Sequence, residues 1–242
     1  MIRGMYSAAT ALDVAEQRQE VTAENLANLS TPGYRTKGLR VESFGSALDQ
    51  AASSGHASSG SGVRVAGSFT NFQPGAIRNT GVPYQLALQG DGFFALQGPK
   101  GVIYSRNGSF HLGADGRILS EGNYPLLGGN GPVSIPPDSD NVSIGRDGSI
   151  QVGGATVDQI RITNFKNPDQ LTSVGPTLFE APSGAGAEPG TASVVQGALE
   201  GPNVSPAAAM IDLIQSSRYF EAAQRAMRAL SDAMQVNTRP GS

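Results

Sequence analysis

At 242 residues, 38% hydrophobic and 15% charged, the chain carries enough apolar material for one or two packed domains and is not a disordered polymer. A net charge of −3, with arginine and lysine scattered along the chain, excludes the basic field that nucleic acid or an anionic lipid surface requires. The absence of cysteine removes disulfides, thiolate catalysis and cysteine metal ligands together.

Residues 5–29 contain neither glycine nor proline, and Met5, Ala8, Leu12, Ala15, Thr22, Leu26 and Leu29 keep a helical rhythm opposite Asp13, Glu16, Gln17, Arg18 and Glu20. That pattern predicts a long amphipathic helix whose stripe needs a partner. No basic segment followed by an apolar run of about 7–15 residues marks a secretory signal, so a cleaved leader is not expected. No stretch approaches the ~20 apolar residues of a membrane-spanning helix. Ser30-Thr31-Pro32-Gly33 ends the helix, because proline cannot continue the hydrogen-bond ladder and glycine supplies a turn. From Asp49 to Gly67 the chain is serine, glycine and alanine, the composition of a flexible connector.

The middle concentrates the glycines and prolines, 32 and 15 in the whole chain, and reads as short strands between turns. Expected strands are 84–88, 93–96, 102–104, 109–112, 117–119, 142–144, 149–152 and 159–165. Asp91-Gly92, Asn107-Gly108, Asp115-Gly116 and Asp147-Gly148 are read as tight hairpin turns. Ser205-Pro206 then looks like an N-cap with proline in the first helical position, opening a second helix to about residue 235. Its stripe is Met210, Leu213, Ile214, Phe220, Met227, Leu230 and Met234, and its polar face Arg218, Glu221, Gln224, Arg225 and Arg228.

Little in the chain could carry chemistry. The histidines are His56, in the connector, and His111, in an expected strand, too few for a Ser-His-Asp or metal constellation. Asp138-Ser139-Asp140-Asn141 with Asp147-Gly148 lacks the spacing and the final glutamate of a calcium loop. Tyr34, Phe93, Phe94, Phe110, Tyr124 and Phe165 have no interleaved basic residues and are expected in the core. No enzyme activity, cofactor or metal is expected.

Glu24-Asn25-Leu26-Ala27-Asn28 followed by Thr31-x-Gly33-Tyr34-Arg35 is the most specific string. Two asparagines three apart at a helix end either cap backbone groups or reach an adjacent subunit. The segment resembles the N-terminal signature of the flagellar rod and hook family. Gln89-Gly90-Asp91-Gly92-Phe93-Phe94, Tyr104 to Phe110, Asp115-Gly116 and Gly122 to Leu126 are similar to that family's middle signatures. Gln196 to Glu200, Asn203-Val204 and the helix with Met210, Ile211, Ile214, Arg218, Tyr219 and Glu221 are similar to its C-terminal one. Glu24, where relatives often carry asparagine, and Pro32 are small departures. Length and the 127–132 passage resemble basal-body rod subunits more than the larger hook subunit.

The two helical stripes and the turn-rich middle, with which the resemblance agrees, predict an α+β fold with paired, coiled-coil-like N- and C-terminal helices flanking a central, mainly antiparallel β domain. Its expected divisions are 1–35, the N-terminal helix of an inner-tube domain; 36–69, the connector; 70–200, the β domain; and 201–242, the C-terminal helix. The resemblance implies a self-assembling subunit of a hollow axial rod that transmits torque around an export channel. The expected partners are copies of itself, other rod and hook subunits, and the export apparatus, with no nucleic acid and no membrane insertion. Expected interface residues are Leu12, Asn25, Leu26, Asn28, Leu29, Met210, Leu213, Ile214, Phe220, Met227, Leu230 and Met234, with Thr31, Gly33 and Tyr34 forming the family turn. A hook or accessory role within the same family is the alternative, and a binding module or assembly chaperone and an adhesin-like β protein are rivals outside it.

Overall fold

The structure, a computed structural model, describes residues 2–43, 62–136 and 142–238. His56, the Asp138–Asn141 stretch and most of the expected connector lie outside these residues. The chain divides into two compact units, one of residues 1–27, 37–71 and 204–242, the other of residues 28–36 and 72–203.

The first unit contains both α-helices found among the described residues, α1 (Ile2–Ala27) and α2 (Pro206–Thr238). Ser205 starts α2 as an N-cap, its backbone oxygen accepting from the Ala209 N–H at 2.9 Å. A two-stranded antiparallel hairpin, Lys37–Ser43 with Val63–Thr70, completes the unit and carries a bulge between Arg40 and Val41. These strands lie where the connector was expected. α1 packs against both α2 and the hairpin: Leu230 approaches Gly4, the Arg18 guanidinium lies 5.8 Å from the centre of the Tyr219 ring, and the Thr10 hydroxyl accepts from the Val63 N–H at 3.3 Å.

This arrangement corrects the expected fold class. The two helices stand against nineteen strands among the described residues, so the chain is dominated by antiparallel β structure. Nor do the helices form a coiled-coil frame flanking it. Interlocked coiled-coil packing sets large side chains into holes of the facing helix. Here the most deeply buried helical positions are small, Ala8, Ala15 and Thr22 on α1 and Ala209 and Ser216 on α2. Met210, Ile211 and Ile214 are more than half exposed, and part of α1 is engaged by the hairpin.

The second unit is built on a six-stranded antiparallel sheet in the order Thr172–Ser173, Leu178–Glu180, Gly101–Ser105, Phe93–Gly98, Ile162–Phe165, Ala187–Pro189. Because side chains alternate faces along a strand, Phe93–Gly98 serves two cores at once. Phe94 and Leu96 join Leu86, Ile118, Leu126, Ile135 and Ile150 on one side. Phe93 and Ala95 join Tyr104, Phe165 and Phe179 on the other. The rings meet edge to face, Phe94 with Phe110 at 5.2 Å and Tyr104 with Phe165 at 4.8 Å, each such pair contributing about 0.5–1.5 kcal/mol beyond its buried area. Of the expected core aromatics, Tyr124 is only half-buried and the rest are buried.

Asp115-Gly116 and Asp147-Gly148 turn the hairpins 110–120 and 142–152, as their composition indicated. Asp91-Gly92 and Asn107-Gly108 do not make hairpins. Leu86–Gln89 pairs with Ser193–Gln196 rather than with the next strand, and a Cβ on Gly108 would collide with the Leu86 carbonyl. Glycine serves there for close backbone approach, a use that a dipeptide pattern does not reveal. The expected strand 159–165 is likewise divided between Ala155–Gln159 and Ile162–Phe165, which join different sheets.

Candidate assembly site

The expected interface residues fall into distinct environments. On α1, Leu12, Asn25 and Leu26 are half-buried. On α2, Leu213, Phe220, Met227, Leu230 and Met234 are half-buried, while Met210 and Ile214 are each 55% exposed. Ile211 and Tyr219, which belonged to the C-terminal signature but not to the expected interface, are also more than half exposed. Met210, Ile211 and Ile214 share one outward arc and form an outer apolar strip on the first turns of α2, whereas the Tyr219 ring lies toward Arg18 of α1. Val41 and Phe69 extend the exposed apolar surface of the same unit on its hairpin.

Asn25 does not reach outward. Its side-chain amide pairs with the backbone of Lys37 in both directions, donating to the carbonyl at 2.9 Å and accepting from the N–H at 3.0 Å. Glu24, the departure from the family pattern, holds the Lys37 ammonium at 2.6 Å. Both side chains tie the end of α1 to the first hairpin strand. Asn25→Ala is accordingly expected to destabilise the first unit by about 1–3 kcal/mol, since it leaves two partly buried backbone groups unpaired. Amide exchange checks this, with faster exchange at Lys37 as the expected signature.

Within the second unit, Asn28 and Thr31 close the family turn on themselves. The Thr31 hydroxyl donates to the Asn28 side-chain oxygen at 3.1 Å, and the Tyr34 N–H to the Thr31 carbonyl at 3.3 Å. Leu29 is half-buried, and Gly33 and Tyr34 are buried. Asn203 clasps the turn, accepting from the Thr36 N–H at 2.8 Å and donating to the Gln73 carbonyl at 3.0 Å.

Beside this clasp lies a buried charge cluster that the sequence reading did not anticipate. Arg35, Arg106 and Glu200 are 1%, 4% and 1% exposed, a fraction at which a charge persists only when compensated. One Glu200 oxygen accepts from Arg35 at 2.7 Å and from the Gly75 N–H at 2.8 Å, and the other accepts from Arg106 at 3.2 Å. Arg35 also donates to the Gln73 carbonyl at 2.9 Å, and Arg106 to the Gly90 carbonyl at 2.6 Å. Burial lowers the pKa of the Arg106 guanidinium, Glu200 opposes that shift, and the nearby charge of Arg35 adds to it. The Nε atoms of both arginines lack a hydrogen-bond partner. Each member comes from a different signature string, and the cue available in the sequence was the lone charge in Tyr104–Phe110 and in Gln196–Glu200; Arg35, with Lys37 two residues on, carries no such signal.

Three family models match successive parts of the chain: "Flagella basal body rod protein" over residues 5–35, "Flagellar hook protein FlgE/F/G D1 domain" over 87–152, and "Flagellar basal body rod FlgEFG protein C-terminal" over 195–238. The flagellar basal-body rod protein FlgG of Buchnera aphidicola subsp. Schizaphis graminum is 30% identical, over 97% of this chain and 98% of the relative. The basal-body rod proteins FlgF of Mesorhizobium japonicum and of Salmonella typhimurium are also 30% identical, covering 93% and 96% of this chain and 91% and 95% of their own lengths.

Proposed function

The chain belongs to the flagellar basal-body rod proteins of the FlgF/FlgG type and is a structural subunit of the basal body; from that premise we propose that the helical unit builds the rod by packing its outer apolar strip against neighbouring subunits. The observation that carries this reading is the exposure of Met210, Ile211 and Ile214, large apolar groups that fall within one outward arc of α2 at ~3.6 residues per turn and are left more than half open to solvent in the single chain. Aligned exposed apolar groups of this kind mark association surfaces. Covering the exposed half of each contributes roughly 1–1.5 kcal/mol before ordering costs. In this reading Leu12, Leu26, Leu213, Phe220, Met227, Leu230 and Met234, half-buried in the unit, finish their burial in the tube wall. Asn25, Asn28, Thr31, Gly33 and Tyr34 act inside the subunit, holding its shape for assembly. The chain reaches the growing rod through the flagellar export apparatus and lines the axial channel, a reading that rests on the family resemblance.

Ile214→Asp tests the proposal, because it places a charge where an apolar contact is expected without disturbing a buried residue. The variant is expected to melt like the parent chain and to be absent from purified basal bodies, leaving cells non-motile. Normal rod occupancy and swimming would show that the strip is not an assembly surface.

A further inference from the structure

The outer sides of the two helices carry charges that form no ion pair among the described residues. Asp13, Glu16 and Glu20 are exposed on α1, and Arg218 and Arg225 are exposed on α2. Among the described residues none of these five forms an ion pair. With ~3.6 residues per turn, Asp13 and Glu20 lie two turns apart on one side of α1, turned away from buried Ala8, Ala15 and Thr22. Arg218 and Arg225 have the same spacing on α2, turned away from buried Ala209 and Ser216.

The helices run antiparallel, as the approach of Leu230 to Gly4 and of Tyr219 to Arg18 establishes. These two rungs put Glu20 at about the height of Arg218 and Asp13 at about the height of Arg225. The acids and the arginines therefore match in spacing and in level. They face away from each other because the helices meet through their small buried residues. Glu221 and Asp232 share the outer side of α2 and reduce its positive charge, and exposed Arg228 at its edge adds to it, without altering the spacing of Arg218 and Arg225.

We infer that this is a register device between copies of the chain: Asp13 and Glu20 of one subunit pair with Arg218 and Arg225 of the next, fixing the axial level at which the helical units meet. The inference rests on the assembly reading above and specifies its partner. The apolar strip supplies attraction but little register, since sliding along a greasy face changes its area slowly. Two charge pairs two turns apart favour one offset, because a neighbour shifted by one turn forfeits both and one shifted by two turns keeps only one.

The test uses two full-length variants, Asp13→Lys/Glu20→Lys and Arg218→Glu/Arg225→Glu, with assembly of the purified chain followed by sedimentation and electron microscopy. All four positions are exposed, so both variants are expected to keep the parent melting curve. Each alone brings like charges together and is expected to raise the critical concentration for assembly roughly tenfold or more. An equimolar mixture restores opposite charges at every contact and is expected to assemble as the parent does. Salt that shortens the screening length from ~10 Å to ~3 Å is expected to weaken the parent's assembly and to lessen the single-variant defect. Unimpaired assembly of either variant alone, or a mixture as deficient as its components, overturns the register while leaving the rod reading in place. A parent chain that forms no assemblies at any concentration overturns the self-assembly on which the register rests.

Discussion

Glu200→Ala is expected to lower the stability of the second unit by about 3–5 kcal/mol, a large part of what holds a domain of this size together. The substitution empties a fully buried position and leaves two guanidinium groups buried without the carboxylate they share. It also strips the Gly75 N–H of its acceptor. A thermal melt is expected to fall by roughly 10 °C or more. The companion variant separates pairing from net stabilisation. Replacing all three charges at once, Arg35→Met with Arg106→Leu and Glu200→Leu, is expected to recover most of the loss, because a well-packed apolar set avoids the desolvation of three ions. A Glu200→Ala protein that melts with the parent would mean that solvent reaches the arginines. A triple variant as unstable as the single one would mean that the hydrogen bonds to the Gln73 and Gly90 carbonyls, rather than charge pairing, dominate the cluster.

Gly33→Ala is expected to be nearly as damaging. Its φ of 68° lies in the left-handed region, which costs a residue with a Cβ about 1–2 kcal/mol. The added carbon would also fall on the backbone of Arg106 and Asn107, which belongs to a packed strand end and cannot swing aside. Overpacking of that kind adds roughly 1–3 kcal/mol. Gly33→Asn divides the two causes, since asparagine tolerates the backbone angle and still collides. An asparagine variant as unstable as the alanine variant identifies close approach as the reason for glycine, and recovery with asparagine identifies the angle. Denaturant unfolding of the purified chain reads either outcome.

The helices and about half of the strands, those between residues 86 and 120 and between 142 and 165, were legible because their signals are local. The glycine-free run before Ser30 and the Ser205-Pro206 start require no knowledge of distant residues, and neither does the alternation along Phe93–Gly98. What escaped depended on distance along the chain. The strands at 37–43 and 63–70 were hidden by the serine and glycine composition around them, and they form because each pairs with the other and α1 covers them. Coiled-coil packing was inferred from periodicity, yet period alone does not say which phase turns inward. The structure buries alanine, serine and threonine most deeply and leaves Met210 and Ile214 outside. The Arg35–Arg106–Glu200 cluster was illegible for the same reason, since each of its strings looked like a turn or a strand end until the fold brought them together.

The clasp around Glu200 also sets an order of events. A chain made from its N-terminus presents Arg35 and Arg106 long before their shared carboxylate exists, and the strand Ala198–Glu200 is the last element of its unit to emerge. Until then the two arginines have every reason to stay in water, and the family turn has neither the Glu200 carbonyl that receives the Gly33 N–H nor the amide of Asn203. The latch that completes the unit is thus the final piece delivered, and the two arginines meet their counter-charge only when synthesis of the chain is nearly done.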